Sequence, residues 1–223
     1  MRAVALIPAF NEAGSVAAVV AGVRPLVDLV LVVDDGSTDE TAMRATAAGA
    51  EVIRHTGNRG KGHAVRTGLA RVFEGAFTHV LLLDADMQHL PSEAAGLLRE
   101  AETSGADIVI GERQFNRSQM PAARYHANRI GSRALSSFVG TAITDTQCGF
   151  RVVRVQALRP LRLRATGYDI ETEMLIKIRR SGGRVHAAPV TAVYTGQRSK
   201  LRPVRDTTRT CFLAVYYRFI ERL

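Results

Sequence analysis

The chain has 223 residues, of which 46% are hydrophobic and 23% charged, and a formal net charge of +9 at pH 7. This length is sufficient for one sizeable α/β domain or two small ones, and the composition excludes low-complexity and repeat architectures. Only two cysteines are present, no apolar run approaches the roughly 18 residues of a membrane span, and polar residues interrupt the N-terminal apolar stretch. We therefore expect a cytosolic protein, with contact to the cytoplasmic membrane face as an open alternative.

The charge is divided unevenly along the chain. Residues 1–112 carry 9 basic and 15 acidic side chains, whereas residues 113–223 carry 21 basic and 6 acidic ones. Ten arginines lie within 113–164, together with a single acidic residue, Asp145. We favour an anionic partner for this stretch over an ordinary solvated basic surface, because arginine binds phosphate through two parallel hydrogen bonds.

Apolar runs alternate with helical patterns in the first half. The runs typical of buried strands span residues 4–7, 29–33, 51–53, 80–83 and 107–111. The helices predicted between them span residues 12–23, 39–48, 64–73 and 92–103. Near-continuous apolar strands separated by helices predict an α/β fold with a mostly parallel, Rossmann-like sheet flanked by helices.

The second half is less regular. Its predicted elements are a helix at 121–139, a loop at 144–151 before an apolar run, a helix at 169–180, a strand at 185–194 interrupted by Pro189, and an amphipathic helix at 201–223. The last helix either lies on an anionic membrane surface or packs on the domain. Because no linker separates the halves, we predict a single domain over residues 1–223, with parts at 1–112, 113–200 and 201–223.

Three polar clusters follow predicted strands. They read "PAFNE" after the first strand, "DDGSTDE" after the second and "DADMQH" after the fourth. Ligands of doubly wound sheets bind beyond the carboxyl ends of the strands, so these clusters should meet at one edge. For the second cluster, an N-capped turn is the alternative to a contact with a nucleobase or ribose.

The cluster "DADMQH" contains the most specific pattern. In an extended segment Asp84, Asp86 and Gln88 would point the same way, and all three offer oxygen ligands suited to Mg²⁺ or Mn²⁺. Surface carboxylates on a loop are the alternative. We expect His89 to pack or cap, outside the metal shell. The glycine-rich segment at 55–68 resembles a phosphate-binding loop but lacks the Walker spacing, so a flexible turn is equally consistent with it.

In their order and spacing these motifs resemble the family 2 glycosyltransferases, which have the GT-A fold. The similarity is greatest to the branch that makes polyprenyl-phosphate sugars, such as dolichol-phosphate mannose or glucose synthases. It runs over most of the chain, through "VALIPAFNE", "VVDDGSTDET", "GNRGKGHAVRTG", "LLLDADMQH", "GER", "TDTQCGFR" and "GYDIETEML".

The resemblance implies a donor site in the first half. In that family the D-x-D segment holds a divalent metal on the diphosphate of a sugar nucleotide, which implies metal ligation by Asp84, Asp86 and Gln88. We favour Asp86 and Gln88 as direct ligands. The implied contacts to a GDP- or UDP-linked hexose are Pro8, Phe10, Glu12, Asp35, Lys61, Asp84, Ala85 and Asp86.

The resemblance also gives the basic second half a role. It implies that the phosphate of a polyprenyl acceptor is bound by Arg113, Arg124, Arg129, Arg198 and Lys200. Asp145, Arg113 and Arg124 are the implied catalytic residues. Asp145 corresponds to a base or orienting acid, and a purely structural salt bridge is the equal alternative.

The resemblance therefore implies an inverting glycosyltransferase that is metal-dependent and moves a hexose to a polyprenyl phosphate. One alternative keeps the donor and uses a soluble metabolite or glycan as acceptor. The other is a non-catalytic nucleotide- or nucleic-acid-binding module, suggested by the pI near 10.3. We expect no nucleic-acid partner, because no recognisable binding motif is present and aromatic residues make up only 6% of the chain.

Overall fold

The computed structural model describes residues 1–113, 145, 146 and 148–191. Seven strands run through these residues: β1 (Ala3–Ala9), β2 (Leu29–Asp34), β3 (Glu51–Arg54), β4 (His79–Leu82), β5 (Ile108–Arg113), β6 (Arg151–Arg154) and β7 (Val185–Val190). The α-helices are α1 (Val16–Val23), α2 (Thr41–Ala47), α3 (Lys61–Glu74), α4 (Ala94–Ser104), α5 (Val155–Leu158) and α6 (Ile170–Arg180). Short 3-10 helices span Arg24–Leu26 and Pro91–Glu93.

All seven strands form one sheet in the order β3-β2-β1-β4-β6-β5-β7. Every neighbouring pair is parallel except those of β6, which is antiparallel to both β4 and β5. Because β6 and β7 come from the second half of the sequence, the two halves share a single sheet. The predicted α/β fold with a mostly parallel sheet is confirmed.

The centre of the core is β1, which pairs with β2 on one side and β4 on the other. Residues 4–7 are fully buried. Helix α3 approaches this strand closely: a Cβ on Gly68 would lie 2.2 Å from a methyl carbon of Leu6. The absence of a side chain at Gly68 therefore sets the distance between α3 and the sheet.

The starting residue differs from the sequence prediction by more than two positions at two helices. Helix α1 begins at Val16 rather than at residue 12, because a loop containing Asn11 at a φ of 53° precedes it. Helix α3 begins at Lys61, three residues early, after Gly60 adopts a φ of 96°. This early start matters for the site, since it puts Lys61 in the first turn of α3.

Proline 189 is accommodated at the edge of the sheet. It is opposite Glu112 in the register of β5 and β7, and β7 is the outermost of the described strands on that side. A missing backbone donor is tolerated on an edge strand. The helices predicted at 121–139 and 201–223 fall outside the described residues. Among the described helices, none is both long and apolar enough to cross a bilayer.

Candidate functional site

The carboxyl ends of β1, β2 and β4 lie side by side, so the three polar clusters meet at one edge of the sheet. Direct hydrogen bonds join the first two clusters. The backbone N–H of Asn11 donates to Ser37 Oγ at 2.9 Å, and the N–H of Thr38 donates to Asn11 Oδ1 at 2.9 Å. The loops after β1 and β2 therefore form one continuous surface at this edge of the sheet.

Asp35 holds the glycine-rich segment at 55–68 against the loop that follows β2. Its carboxylate is 2.6 Å from His55 Nδ1, and it accepts hydrogen bonds from the backbone N–H groups of Arg59 at 3.0 Å and Gly60 at 2.7 Å. The other ring nitrogen of His55 is 2.9 Å from Thr67 Oγ1, which lies on α3. Asp35 thus fixes the turn that leads into α3, and its predicted contact with the nucleoside stays a prediction.

Lys61 lies between two carboxylates. Its Nζ is 2.5 Å from Asp84 Oδ1 and 2.6 Å from Glu171 Oε1, and the ring centroid of Tyr168 is 5.5 Å from the same nitrogen. Burial opposes the charged form of Lys61, but the two carboxylates outweigh it and raise the pKa of the amine. Burial would likewise raise the pKa of Asp84, but the charge of Lys61 and its hydrogen bond lower it. Both members of the pair are therefore ionised at neutral pH.

The D-x-D segment forms a turn, so the predicted extended conformation is wrong. Strand β4 ends at Leu82, Met87 has a φ of 60°, and the Gln88 N–H donates back to Asp86 Oδ1 at 3.0 Å. The positive φ at Met87 reverses the chain, and the pleat of a strand therefore does not orient the side chains of this segment. Ala85, between the two aspartates, is buried.

Asp86 is in an electronegative environment. Burial and the nearby charge of Asp84 raise its pKa to about 6, and Glu12 adds to the effect. Asp84, the carboxylate with the larger effect on Asp86, already contacts the ammonium group of Lys61. Within the described ranges no group of three or more His, Cys, Asp or Glu side chains forms a metal cluster. The oxygen donors and the raised pKa nevertheless fit a hard cation such as Mg²⁺ or Mn²⁺.

The loop that contains Gly149, from the second half of the chain, packs against the Lys61–Asp84 pair. A Cβ on Gly149 would lie 2.8 Å from Asp84 Oδ2 and 3.1 Å from Lys61 Nζ. The loop is anchored by the fully buried Arg151, whose guanidinium donates to the backbone oxygens of Cys148 at 3.0 Å and Glu171 at 2.9 Å. Only a residue without a side chain fits at position 149 unless the Lys61–Asp84 pair moves.

His89 packs beneath the same loop, as expected. Its ring stacks on Phe150 with a centroid separation of 5.2 Å, and its Nε2 is 3.7 Å from Cys148 Sγ. Burial, with a further contribution from the charge of Arg113, lowers the pKa of His89 to about 4. The imidazole is therefore neutral at pH 7, and it fills space between the D-x-D turn and the loop.

Arg113 and Asp145 form a bidentate ion pair. Arg113 Nε is 2.5 Å from Asp145 Oδ2, and Nη2 donates to Asp145 Oδ1 at 3.0 Å. The Asp145 side chain is completely buried, whereas 16% of the Arg113 side chain is exposed. The salt bridge that the sequence left open is thus present, and the carboxylate orients the guanidinium.

Some of the remaining predicted residues lie within the described ranges and others lie outside them. Pro8, Phe10 and Glu12 are partly exposed at the end of β1 and in the loop that follows it. Glu12 accepts a hydrogen bond from Ser15 Oγ at 3.1 Å. The predicted acceptor contacts that lie outside the described residues are Arg124, Arg129, Arg198 and Lys200.

Sequence reasoning missed several residues that surround Lys61 and Asp84, namely Gly149, Arg151, Tyr168 and Glu171. Glu171 is in the first turn of α6. The charged residues of this helix suggest a solvated face in the sequence, but nine consecutive residues of the helix are buried. The motif "GYDIETEML" was part of the family resemblance, and it was the available signal for Tyr168 and Glu171.

Comparisons with known proteins agree with this architecture. The family model "Glycosyl transferase family 2" matches residues 4–162. Glycosyltransferase AglJ of Haloferax volcanii is 33% identical over 220 residues, which cover 96% of this chain and 70% of the relative. The undecaprenyl-phosphate mannosyltransferase of Micrococcus luteus is 32% identical over 206 residues, which cover 86% of this chain and 84% of the relative.

A solved structure has the same fold. It is glucosyl-3-phosphoglycerate synthase from Mycobacterium tuberculosis in complex with Mn²⁺, UDP-glucose and phosphoglyceric acid. The superposition has a TM-score of 0.75 at 21% identity and covers 97% of this chain and 79% of that one. Since the family model spans more than half of the residues, this chain belongs to glycosyltransferase family 2.

Proposed function

We propose that the protein transfers a hexose from a GDP- or UDP-linked donor to a polyprenyl phosphate, with inversion at the anomeric carbon. The observation that carries the proposal is the position of Arg113. This arginine ends β5 and pairs with Asp145, which lies four residues before Gly149, and Gly149 packs against both Asp84 and Lys61. We propose that this guanidinium binds the acceptor phosphate beside the proposed site of the donor diphosphate. The name of the Micrococcus relative, which specifies undecaprenyl phosphate, supports the same acceptor class.

The proposed reaction is a single displacement. An oxygen of the acceptor phosphate attacks the anomeric carbon, the bond to the donor diphosphate breaks, and the nucleoside diphosphate leaves with the electron pair. A phosphate oxygen is already a nucleophile at neutral pH, so positioning and stabilisation of the leaving group are the main requirements. No general base is required, and we assign Asp145 the role of orienting Arg113 through their 2.5 Å contact.

The donor side of the proposal uses residues of the first half. Lys61 offers an ammonium group to the diphosphate, and Pro8, Phe10, Glu12 and Asp35 line the proposed nucleotide side. A divalent cation, Mg²⁺ or Mn²⁺, would be held by Asp84, Asp86 and Gln88 and would neutralise charge on the leaving diphosphate.

The acceptor side extends beyond the described residues. We propose that Arg124, Arg129, Arg198 and Lys200 add to the phosphate site formed around Arg113. A polyprenyl phosphate resides in a membrane, so we also propose that the basic second half works at an anionic membrane surface on the cytoplasmic side. Flotation with vesicles of anionic lipid tests this point, and failure of the full chain to float with them would refute it.

The deciding experiment is a transfer assay with a panel of radiolabelled sugar nucleotides, Mn²⁺ and three acceptors. These are a polyprenyl phosphate, the same polyprenol without phosphate, and 3-phosphoglycerate. We expect lipid-linked product with the polyprenyl phosphate alone. Product on 3-phosphoglycerate would instead establish the soluble-acceptor alternative, and nucleotide binding with no transfer to any acceptor would contradict the enzymatic proposal.

A further inference from the structure

Acidic side chains hold Lys61 in place from both sides. Its Nζ is 2.5 Å from Asp84 Oδ1 and 2.6 Å from Glu171 Oε1, and only 13% of its side chain is exposed. Asp84 belongs to the D-x-D turn, whereas Glu171 belongs to α6. A single ammonium group thus occupies the space between the donor-binding turn and a helix from the second half.

Glu171 has more acceptor capacity than Lys61 uses. Its side chain is 7% exposed, and its Oε2 is buried without a hydrogen-bond partner. A buried carboxylate oxygen without a partner is unfavourable, so its presence beside a cation indicates a position that can hold a cation in a second arrangement. Glu171 can therefore keep Lys61 paired even when Asp84 no longer does.

The loop that contains Gly149 restricts how the side chains of Lys61, Asp84 and Glu171 can move. Gly149 lies against both Asp84 and Lys61. A Cβ at this position would be 2.8 Å from Asp84 Oδ2 and 3.1 Å from Lys61 Nζ. An incoming ion on the D-x-D turn therefore cannot be accommodated by a large movement of Asp84 towards the loop. The movable group is the long and flexible side chain of Lys61.

We propose that Lys61 is a resident counter-ion that competes with a divalent cation for Asp84, and that Glu171 retains Lys61 when the divalent ion displaces it. The proposal rests on the donor site assigned above to Asp84 and Asp86. Without a donor, Lys61 neutralises Asp84 and weakens divalent-ion binding. When a diphosphate arrives, Lys61 gains an anionic partner and Asp84 becomes available, so the ion and the donor bind together.

The test is Mn²⁺ binding to the full chain in the absence of nucleotide, followed by the electron paramagnetic resonance signal of free Mn²⁺. Lys61→Met removes the competing charge and leaves Asp84 unpaired, so we expect the dissociation constant for Mn²⁺ to fall at least about tenfold. Glu171→Gln leaves Lys61 with Asp84 as its charged partner, so we expect weaker Mn²⁺ binding than in the wild type.

Arg44→Gln is the matched control. It removes one positive charge from the exposed pair with Glu40, whose contact distance is 2.7 Å, and it should leave Mn²⁺ affinity unchanged. Lys61→Gln provides a second neutral variant if circular dichroism shows that Lys61→Met is unfolded. Wild-type or weaker Mn²⁺ affinity in a folded Lys61 variant would overturn the competition, and unchanged or tighter binding in Glu171→Gln would overturn the retention.

The outcome does not depend on the identity of the acceptor. A chain that transfers no sugar to polyprenyl phosphate but shows the Lys61 effect would refute the proposed function and keep this inference. Transfer to polyprenyl phosphate without any Lys61 effect would do the reverse.

Discussion

Gly149→Ala tests the proposed donor site with the smallest available change. The added methyl group would lie 2.8 Å from Asp84 Oδ2, whereas ordinary contact begins at 3.4 Å, so the carboxylate must retreat by about 0.6 Å. Lys61 Nζ, at 3.1 Å, must also shift. The φ of Gly149 is not in the left-handed region, so alanine adds no backbone strain and the effect is steric.

The size of the effect follows from this overlap. Inserting one carbon into a filled space costs about 1–3 kcal/mol. If the displaced groups bind the donor, that cost appears as a loss of donor affinity of about 5- to 150-fold. The assay is calorimetric titration with the sugar nucleotide that gives the largest thermal shift, together with urea unfolding to show that the variant is folded.

Gly96→Ala is the control for this substitution. Gly96 lies in α4 and a Cβ there would meet no heavy atom within 4 Å, so donor affinity should equal that of the wild type and stability should rise by about 0.5–1 kcal/mol. Donor binding of wild-type strength by a folded Gly149→Ala variant would refute the assignment of the Lys61–Asp84 pair to the donor site.

Three further predictions concern charged groups. Because burial and Asp84 raise the pKa of Asp86 to about 6 from 3.8, the native state binds this proton more tightly than the unfolded state and loses stability as the pH rises from about 4 to 6. Asp86→Asn should therefore gain about 2–3 kcal/mol relative to the wild type between pH 4 and pH 8 in chelator-treated urea unfolding, and no gain would contradict the shift. Arg113→Ala should weaken acceptor use more than donor binding and destabilise the fold by about 3–5 kcal/mol, since buried Asp145 loses its bidentate ion pair with Arg113. The double variant with Asp145→Ala should recover stability without recovering acceptor use. Equal loss of donor and acceptor affinity in Arg113→Ala would move Arg113 to the donor side. Arg151→Lys should lower the free energy of unfolding in urea by about 2–3 kcal/mol, because an ammonium group cannot reach all the carbonyl oxygens to which the guanidinium donates. A change below about 0.5 kcal/mol would show that these hydrogen bonds are not needed for stability.

The parallel part of the sheet could be predicted from the sequence because each strand is buried on both faces. Residues 4–7 and 29–33 are nearly continuous apolar runs, and such runs indicate strands that helices cover on both sides. The direction of β6 was not predictable in this way. Its four residues, Arg151–Arg154, carry no periodicity that distinguishes a parallel from an antiparallel neighbour.

The site was predictable where a motif is contiguous and not where it depends on distant contacts. The position of the "DADMQH" cluster follows from the strand before it, but its turn depends on the left-handed backbone of Met87. The pairing of Lys61 with Glu171 joins residues from opposite halves of the chain. Charge spacing along a sequence cannot identify such a pair, because the topology of the sheet decides which helices meet.

The reversed direction of β6 brings its first residue to the edge of the sheet where β4 and β5 end. Leu82, at the end of β4, is opposite Arg151, at the start of β6, and Arg151 is in turn opposite Ile110 near the end of β5. The chain leaves β5 at Arg113 and β6 begins at Arg151, on the edge of the sheet that carries the D-x-D turn, and the ion pair of Arg113 with Asp145 lies at the same edge. A substitution in β6 that changed its pairing with β4 would therefore move Arg151 and, with it, the loop that packs against Asp84 and Lys61.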